Sequence, residues 1–271
     1  MPELPEVETV RNMLKLHILD KRITEIEIRH NNIIKGNIEE FINNVTNTKI
    51  IDIQRKGKYL IFILDNDYAF TSHLRMEGKY FYEESKVENK HSHVYFKLDN
   101  NYYLIYNDVR KFGEMILKHK NDLYITEPLS KLGEDANTEV NKELLTKKLK
   151  KPGHVKTLLL DQSVIAGLGN IYVDEVLFLS KINPFTKGID LTEENINDII
   201  KYSKIVLDKA INLGGSTIRS FKSGHADGLF QNELLVHTKK GTPCPNCNTI
   251  IEKTKVNQTG TYYCPNCQRL K

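Results

Sequence analysis

Residues 244–267 read CPNCNTIIEKTKVNQTGTYYCPNC, and this stretch contains all four cysteines of the chain. Sixteen residues separate the pair Cys244 and Cys247 from the pair Cys264 and Cys267. Two C-x-x-C pairs at this separation can present four thiolates tetrahedrally to one Zn²⁺, and so short a tail has too little apolar core to fold well without the metal. Disulfides are the alternative, but they are rare in a reducing cytoplasm. The stretch therefore predicts one structural zinc ion in a small carboxy-terminal module.

The rest of the composition is that of an ordinary globular chain. Hydrophobic residues make up 39% and charged residues 27% of its 271 residues, a length that exceeds a typical single domain. No run approaches the roughly 18 apolar residues that a membrane helix needs. The amino terminus, MPELPEVETV, has no basic residue before Arg11, which is the wrong charge for a secretory or transit peptide. We therefore expect a cytoplasmic protein of more than one domain, without a membrane segment.

The net charge of +4 is unevenly distributed. The last 36 residues contain one acidic residue, Glu252, and six basic residues: Lys239, Lys240, Lys253, Lys255, Arg269 and Lys271. Against Glu143, a second cluster holds Lys142, Lys147, Lys148, Lys150, Lys151 and Lys156. Two basic clusters on an otherwise balanced chain predict a surface that faces phosphates. A solvated, lysine-rich surface explains the charge equally well.

The first half of the chain has the pattern of a β-rich domain that begins with a helix. Helical spacing relates four apolar residues near the amino terminus: Val7, Val10, Leu14 and Ile18. From about residue 23 to residue 117, short apolar runs are separated by turn residues. At 94–98 apolar residues alternate with Tyr95 and Lys97, and Asp99-Asn100-Asn101 follows as a hairpin connection. This pattern predicts an antiparallel sheet with unlike faces.

After Pro128 the pattern becomes helical. It is clearest at residues 196–211, which end at Gly214-Gly215, a helix stop signal. The following segment, up to Glu233, is rich in Gly, Ser and Lys and is either a functional mobile loop or a disordered connection. The chain is therefore predicted to be α+β, with a β-rich amino-terminal lobe and a mostly helical carboxy-terminal lobe.

Six strings occur in the order found in one enzyme family: MPELPEVETV, RKGKYLIF, SHLRMEGKY, DVRKFGE, LLLDQSVIAGLGNIYVDEVLF and the four-cysteine module. Across its whole length the chain resembles the bacterial formamidopyrimidine-DNA glycosylases. The resemblance implies an antiparallel β-sandwich with flanking helices at residues 1–128. It further implies a helix-two-turn-helix domain at 129–222, with a lesion-capping loop from about 214, and a zinc hairpin at 236–271.

The resemblance assigns the chemistry to three residues. Pro2 becomes a free secondary amine once Met1 is removed, and it then attacks the sugar carbon C1′; an α-amino group has a pKa of about 7.7–8.0, so a neutral fraction is available. Glu3 matches the acid that protonates the sugar ring oxygen, and Lys58, in RKGKYLIF, matches the lysine of β-elimination. Glu6 is either part of this network or only a favourable first-turn acid. Without the resemblance, Pro2 would indicate methionine trimming and Glu3 a helix-dipole partner.

An enzyme that acts on a base within a duplex must evert the nucleotide and fill the gap that it leaves. By resemblance, the filling residues are Met76, Arg110 and Phe112: a flexible thioether, a cation that can hydrogen-bond the orphaned cytosine, and an aromatic wedge. Glu77 matches a residue that faces the everted purine. Read without the family, Met76 and Phe112 would be core residues and Arg110 a salt-bridge partner.

Further residues match the family's phosphate contacts. Asn170 has the sequence context of a helix N-cap, and it matches the helix-two-turn-helix phosphate clamp, since a helix amino terminus offers N–H groups to an anion. His73, His91 and Lys151 match additional phosphate contacts, although each alone would be an ordinary surface residue. The segment 216–221 corresponds to the loop that covers the lesion.

Two positions depart from the family pattern. Thr259 replaces an arginine that grips phosphate and takes part in the second, δ, elimination. His237 replaces a tyrosine in the strand that leads into the zinc module. Lys255 or Gln258 is the alternative source of the contacts that the arginine makes, and neither role is carried over to Thr259 or His237.

The sequence thus predicts a monomeric enzyme that excises oxidised purines, 8-oxoguanine and formamidopyrimidines, from double-stranded DNA and then cuts the strand by β- or β,δ-elimination. One alternative is an endonuclease VIII-like glycosylase for oxidised pyrimidines; Leu4 and the set Met76, Arg110 and Phe112 favour the purine branch. The other alternative is a non-catalytic, zinc-dependent DNA-binding protein.

Overall fold

The computed structural model describes residues 1–216, 221–222 and 228–270. The chain divides into two compact units. The first is built mainly from Met1–Ser130, and the second from Lys131–Ser216 and Leu229–Lys271. The predicted domain boundaries 1–128, 129–222 and 236–271 stay predictions, and most of the predicted lesion-capping loop lies outside the described residues.

The first unit contains two helices and nine strands of its amino-terminal segment. In chain order these are α1 (Leu4–Ile18), β1 (Ile23–Ile28), β2 (Ile34–Lys35), α2 (Ile38–Val45), β3 (Ile50–Lys56), β4 (Tyr59–Leu64), β5 (Tyr68–His73), β6 (Lys79–Glu83), β7 (Ser92–Leu98), β8 (Tyr103–Asn107) and β9 (Glu114–His119). A short strand, β10 (Phe221–Lys222), pairs in parallel with β6.

These strands form a two-layer sandwich. One sheet has the order β1-β7-β8-β6-β10 and the other β2-β9-β5-β4-β3, and most neighbouring strands are antiparallel. Aromatic side chains of the two sheets meet between the layers: Phe70 stacks on Phe96 with ring centroids 5.8 Å apart, and Phe62 lies 5.8 Å from Tyr80. The predicted β-sandwich is therefore confirmed.

The predicted hairpin after Leu98 is also present. The Leu98 N–H donates to the Tyr102 carbonyl at 2.8 Å, and Asn101 has a φ of 66°, a conformation that asparagine tolerates. Tyr95, on the face that alternates with the apolar one, is only 1% exposed. The Arg29 guanidinium lies 4.7 Å from the centroid of the Tyr95 ring and covers it.

The helix α1 buries one apolar stripe in this core. Val7, Val10, Leu14 and Ile18 are fully buried. Pro5 stands in its first turn, where the missing N–H costs nothing, and Glu6 is a favourable first-turn acid. The helix that the sequence predicts here is confirmed, and it places residues 2 and 3 at a helix amino terminus.

The second unit combines four helices with a hairpin. The elements are α3 (Lys142–Leu149), α4 (Val155–Leu160), α5 (Asn170–Leu179), α6 (Glu193–Asn212), β11 (Glu252–Val256) and β12 (Thr259–Tyr263). The helix α6 ends before Gly214 and Gly215, whose φ values of 74° and 78° confirm the predicted stop. Among the described residues, no helix combines the length and the apolar character that crossing a bilayer needs.

Candidate functional site

The amino-terminal residues to which the resemblance assigns chemistry are buried at the start of α1. Pro2 is buried, and Glu3 is 2% exposed. Glu6 Oε2 accepts a hydrogen bond of 2.8 Å from the Glu3 backbone N–H, and so it fixes the backbone next to Pro2. Met1, in contrast, is 51% exposed. The residue that must be removed to free the Pro2 nitrogen therefore lies at the surface.

Lys58 lies in the turn between β3 and β4. Gly57 precedes it with a φ of 55°, a left-handed conformation that favours glycine. The Lys58 side chain is buried; burial lowers the pKa of its ammonium, whereas the negative charges of Glu3 and Glu6 raise it. The structure thus brings Lys58 and the two carboxylates into one electrostatic cluster. We call Pro2, Glu3, Glu6 and Lys58 the amino-terminal cluster.

His73 ends β5 and is held as a neutral imidazole. Its Nδ1 accepts a hydrogen bond of 2.9 Å from the Arg75 backbone N–H, and its ring packs edge-on against Tyr59 with centroids 4.5 Å apart. Burial, together with the positive charges of Arg75 and Lys58, lowers the pKa of His73 to about 3. Because Nδ1 is an acceptor, Nε2 carries the ring proton. His73 can therefore offer a phosphate a hydrogen bond but not a charge.

Met76 lies in the tight loop between β5 and β6. The loop is closed by the Gly78 N–H, which donates to the Leu74 carbonyl at 2.8 Å, and it is anchored by Arg75, which pairs with Glu114 at 2.9 Å. Met76 is 41% exposed, and Glu77 beside it is exposed too. The interpretation of Met76 as a core residue is excluded.

Arg110 and Phe112 lie on the loop between β8 and β9. The buried Asp108 holds this loop, because its Oδ1 accepts from the Arg110 N–H at 2.9 Å and its Oδ2 from the Gly113 N–H at 2.8 Å. Phe112 is 54% exposed, and the Arg110 guanidinium lies 4.7 Å from the centroid of its ring. The loop thus presents an aromatic side chain stacked with a cation. Next to it, the partly exposed His91 accepts at its carbonyl from the Asp108 N–H at 2.9 Å.

In the second unit, Asn170 is not the N-cap that the sequence predicts. The extended backbone of Gly169 makes Gly169 the N-cap, and Asn170 is the first residue of α5. Within the described part of the chain, the buried Asn170 Oδ1 has no hydrogen-bond partner. Lys151 is exposed in the connection between α3 and α4, and its carbonyl accepts from the Ile189 N–H at 3.0 Å.

The second basic cluster is not a uniform phosphate-facing surface. Lys142 pairs with Glu193, and both Lys148 and Lys150 donate to backbone carbonyls. Lys156 is fully buried, so its assignment to an exposed basic surface was wrong. A lysine can only be buried at low cost where a carboxylate and further acceptors meet its ammonium.

The carboxylate that meets the Lys156 ammonium belongs to Asp174, which lies at the centre of a buried network. Lys156 Nζ donates to Asp174 Oδ1 at 2.6 Å and to the Gly260 carbonyl at 2.9 Å. Asp174 Oδ2 lies 2.8 Å from His237 Nδ1 and accepts from the Tyr262 N–H at 3.2 Å. The network connects α4 and α5 with the hairpin β11–β12. His237, at the position where the resemblance implies a tyrosine, therefore directs one ring nitrogen into the protein.

The four cysteine sulfurs have the spacing of a metal site. All four thiols are free, and their Sγ atoms lie within 4.8 Å of one another, with Cys244 and Cys267 at 3.8 Å and Cys247 and Cys264 at 3.5 Å. Tetrahedral zinc with bonds of about 2.3 Å separates its sulfurs by about 3.8 Å. The set fits Zn²⁺ rather than two disulfides.

Three family models match the chain in order. The formamidopyrimidine-DNA glycosylase N-terminal domain covers residues 1–115, the formamidopyrimidine-DNA glycosylase H2TH domain covers 130–222, and the zinc finger found in FPG and IleRS covers 241–270. A relative named formamidopyrimidine-DNA glycosylase, from Exiguobacterium sibiricum, is 44% identical over 100% of this chain and 99% of its own. One with the same name from Mycoplasma genitalium is 45% identical over 100% and 96%. The chain belongs to the formamidopyrimidine-DNA glycosylase family.

Solved structures of the formamidopyrimidine-DNA glycosylase family agree with this assignment. Lactococcus lactis Fpg in complex with DNA containing an abasic site has a TM-score of 0.93 and 40% identity, covering 99% of this chain and 100% of that chain. A point variant of the same protein with Fapy-dG-containing DNA gives the same values. The predicted family and fold class are confirmed. The residues that match the zinc-finger model include all four cysteines, and their arrangement fits one structural zinc ion.

Sequence reasoning missed three buried acids that hold other parts of this family member in place. Asp174 and Glu175 interrupt the apolar run of α5, and a buried carboxylate must be paired, which is the signal that could have found them. Glu175 accepts from the backbone N–H groups of residues 235–237 at 2.8–3.0 Å. Burial raises the pKa of Glu175, and these hydrogen bonds lower it. Asp108, within DVRKFGE, was assigned no role.

Proposed function

We propose that the chain is a bifunctional DNA glycosylase and abasic-site lyase that removes oxidised purines from double-stranded DNA in base excision repair. Its relatives carry the name formamidopyrimidine-DNA glycosylase, and the solved structures hold DNA with Fapy-dG or an abasic site. The observation that carries the proposal is the amino-terminal cluster: Pro2 and Glu3 are buried at a helix start, and the carboxylate acts on a buried lysine, Lys58.

The chemistry follows from these groups after Met1 is removed. The Pro2 nitrogen attacks C1′ and gives up its proton, and the damaged base leaves with the electrons of its glycosidic bond. Glu3 protonates the sugar ring oxygen while the C1′–O4′ bond breaks, and the nitrogen lone pair then forms a double bond to C1′. The resulting iminium withdraws electrons from C2′, so that a base can take the C2′ proton and the 3′ phosphate departs. Lys58 suits this step because burial lowers its pKa and enlarges its neutral fraction. Loss of the 5′ phosphate by the second elimination is slower here, because Thr259 lacks the charge of the family arginine.

The remaining predicted residues bind the duplex. Met76, Arg110 and Phe112 are exposed and bulky, as side chains that fill the gap left by an everted nucleotide must be. His73, His91, Lys151 and Asn170 contact phosphates. The protein acts as a monomer in the bacterial cytoplasm.

Borohydride trapping on DNA that contains 8-oxoguanine opposite cytosine tests the proposal. Protein shown by mass spectrometry to lack Met1 should form a covalent adduct, because reduction fixes the iminium, whereas protein that retains Met1 should not. Pro2→Gly and Lys58→Ala should lose most of the product. Lys35→Ala, which removes an exposed lysine from β2, is the matched control and should trap normally.

Two results would overturn the assignment. Processed protein that forms no adduct with any lesion would leave a non-catalytic DNA-binding protein. Faster cleavage at thymine glycol than at 8-oxoguanine would place the activity on oxidised pyrimidines.

A further inference from the structure

The loop that carries Met76 and the loop that carries Phe112 both pack against the Tyr106 hydroxyl oxygen. The buried Tyr106, next to last in β8, places its hydroxyl between the β5–β6 loop and the β8–β9 loop. A β-carbon added at Gly78 would lie 2.5 Å from this oxygen, and one added at Gly113 would lie 1.6 Å from it. Each loop therefore meets the Tyr106 hydroxyl at a glycine.

Space, rather than backbone conformation, requires glycine at these two positions. Neither Gly78 nor Gly113 has a positive φ. A β-carbon at Gly78 would also overlap the Leu74 carbonyl at 2.5 Å, whereas at Gly113 the two nearest atoms both belong to Tyr106. Non-bonded carbon and oxygen atoms do not approach to such distances. Gly113 is thus fitted specifically to Tyr106.

The Tyr106 side chain is itself fixed by the sandwich core. Its ring packs edge-on against Tyr80 with centroids 5.3 Å apart, and the Tyr80 hydroxyl donates to Ser72 Oγ at 2.7 Å. Burial and the nearby Asp108 carboxylate raise the pKa of Tyr106, so its hydroxyl is neutral. Both loops therefore pack against one rigid side chain, that of Tyr106.

We propose that Tyr106 is a positioning residue that sets the separation between Met76 and the pair Arg110 and Phe112 by holding the two loops on either side of its hydroxyl. This inference rests on the proposed function, because that separation matters only if the three side chains enter a base stack. Neighbouring bases of one strand are about 3.4 Å apart. Side chains from two loops can share one gap only if their offset is kept to a fraction of that distance.

Tyr106→Phe tests the inference, because it removes the shared oxygen and keeps the ring. Two single-turnover rates are compared in processed, zinc-loaded protein: excision of 8-oxoguanine from a duplex, and cleavage at a preformed abasic site in a single-stranded oligonucleotide, which has no base stack to fill. Excision should fall about tenfold, and the ratio of excision to cleavage should fall with it. Tyr95→Phe is the control, because it also removes a buried tyrosine hydroxyl. That hydroxyl contacts the Val87 carbonyl, which belongs to neither of the two loops, so the variant should leave the rate ratio unchanged.

A second measurement does not depend on activity. Gly113→Ala should lower the melting temperature, and it should lower it less in the Tyr106→Phe background, where the closest overlap is gone. Equal losses in both backgrounds would show that the two residues do not act on each other.

The outcomes separate the two proposals. A wild-type protein that excises 8-oxoguanine, combined with an unchanged rate ratio in Tyr106→Phe, overturns the positioning role and keeps the proposed function. A processed wild-type protein that neither excises nor forms a trapped adduct overturns both.

Discussion

The state of His73 makes a quantitative prediction about stability against pH. The imidazole is buried, accepts from the Arg75 N–H and lies near two cations, so its folded pKa is about 3, whereas an unfolded histidine titrates near 6.5. Between these values the unfolded chain binds a proton that the folded chain does not, and stability must therefore fall as the pH falls. From pH 7.5 to pH 5, His73 should account for a loss of about 2 kcal/mol in the free energy of unfolding.

Urea denaturation of wild type and His73→Gln, in saturating zinc at both pH values, measures this contribution as a difference. Glutamine can still accept the Arg75 N–H but does not titrate, so the variant should lose about 2 kcal/mol less than wild type on acidification. His119→Gln is the matched control. His119 Nδ1 also accepts a backbone N–H, from Asn121 at 3.3 Å, but this contact is exposed. The His119→Gln variant should therefore keep nearly the same dependence of stability on pH as wild type.

Equal pH dependence in His73→Gln and wild type would refute the reasoning, because it would mean that His73 gains its proton in the folded state as easily as in the unfolded one. A charged His73 would also make duplex affinity rise on acidification. A neutral one predicts that the His73 contribution to DNA binding stays constant over the same range.

Four further predictions test the zinc module, the buried network and the DNA-binding surface. Lys156→Met should lower the free energy of unfolding by about 3–5 kcal/mol, because it leaves Asp174 buried without its cation. Lys204→Met, which breaks an exposed pair with Asp208, should lower it by less than about 0.5 kcal/mol, and urea titrations compare the two variants. Metal analysis should find one zinc per chain, and its removal by a chelator should abolish duplex binding; full affinity in zinc-free protein would contradict this. Affinity measured by fluorescence anisotropy should fall more than about tenfold between about 50 and 200 mM salt, and a flat response would exclude several phosphate contacts. Thr259→Arg should raise the fraction of δ-elimination product on a sequencing gel, and an unchanged fraction would remove the explanation based on charge.

The parts of the fold that local sequence determines were predictable. The helix α1, the turn after Leu98 and the stop at Gly214 each depend on residues within one or two turns of chain. The zinc module was predictable for a different reason, because four cysteines at two short spacings have few other uses in a reducing compartment. The amino-terminal cluster followed from the family resemblance, since Lys58 is more than fifty residues from Glu3 in the chain.

What could not be predicted depends on partners distant in sequence. Lys156 belongs to a basic cluster whose other members are exposed or half-buried, but Asp174 and Gly260, which accept from it, follow 18 and 104 residues later. The pKa of His73 depends on burial, which no spacing shows. The N-cap at Gly169 was misplaced by one residue, because an extended glycine, rather than a polar side chain, starts α5.

Buried carboxylates hold backbone segments in both units. A surface that binds phosphates must present cations and aromatic side chains, and an acid beside them would repel the ligand. Asp108 avoids this conflict because it lies beneath the loop that it positions, where its oxygens accept the backbone N–H groups of residues 110 and 113. Glu175 accepts the backbone N–H groups of residues 235–237 in the same way, but within a segment in which Val236 and His237 are buried. In such hydrogen bonds the carboxylate charge is directed at backbone N–H groups inside the protein, and these bonds fix the backbone conformation strongly. The exposed side chains of Arg110 and Phe112 therefore stay free to face a ligand, and the loop 108–113 can be both exposed and fixed in conformation.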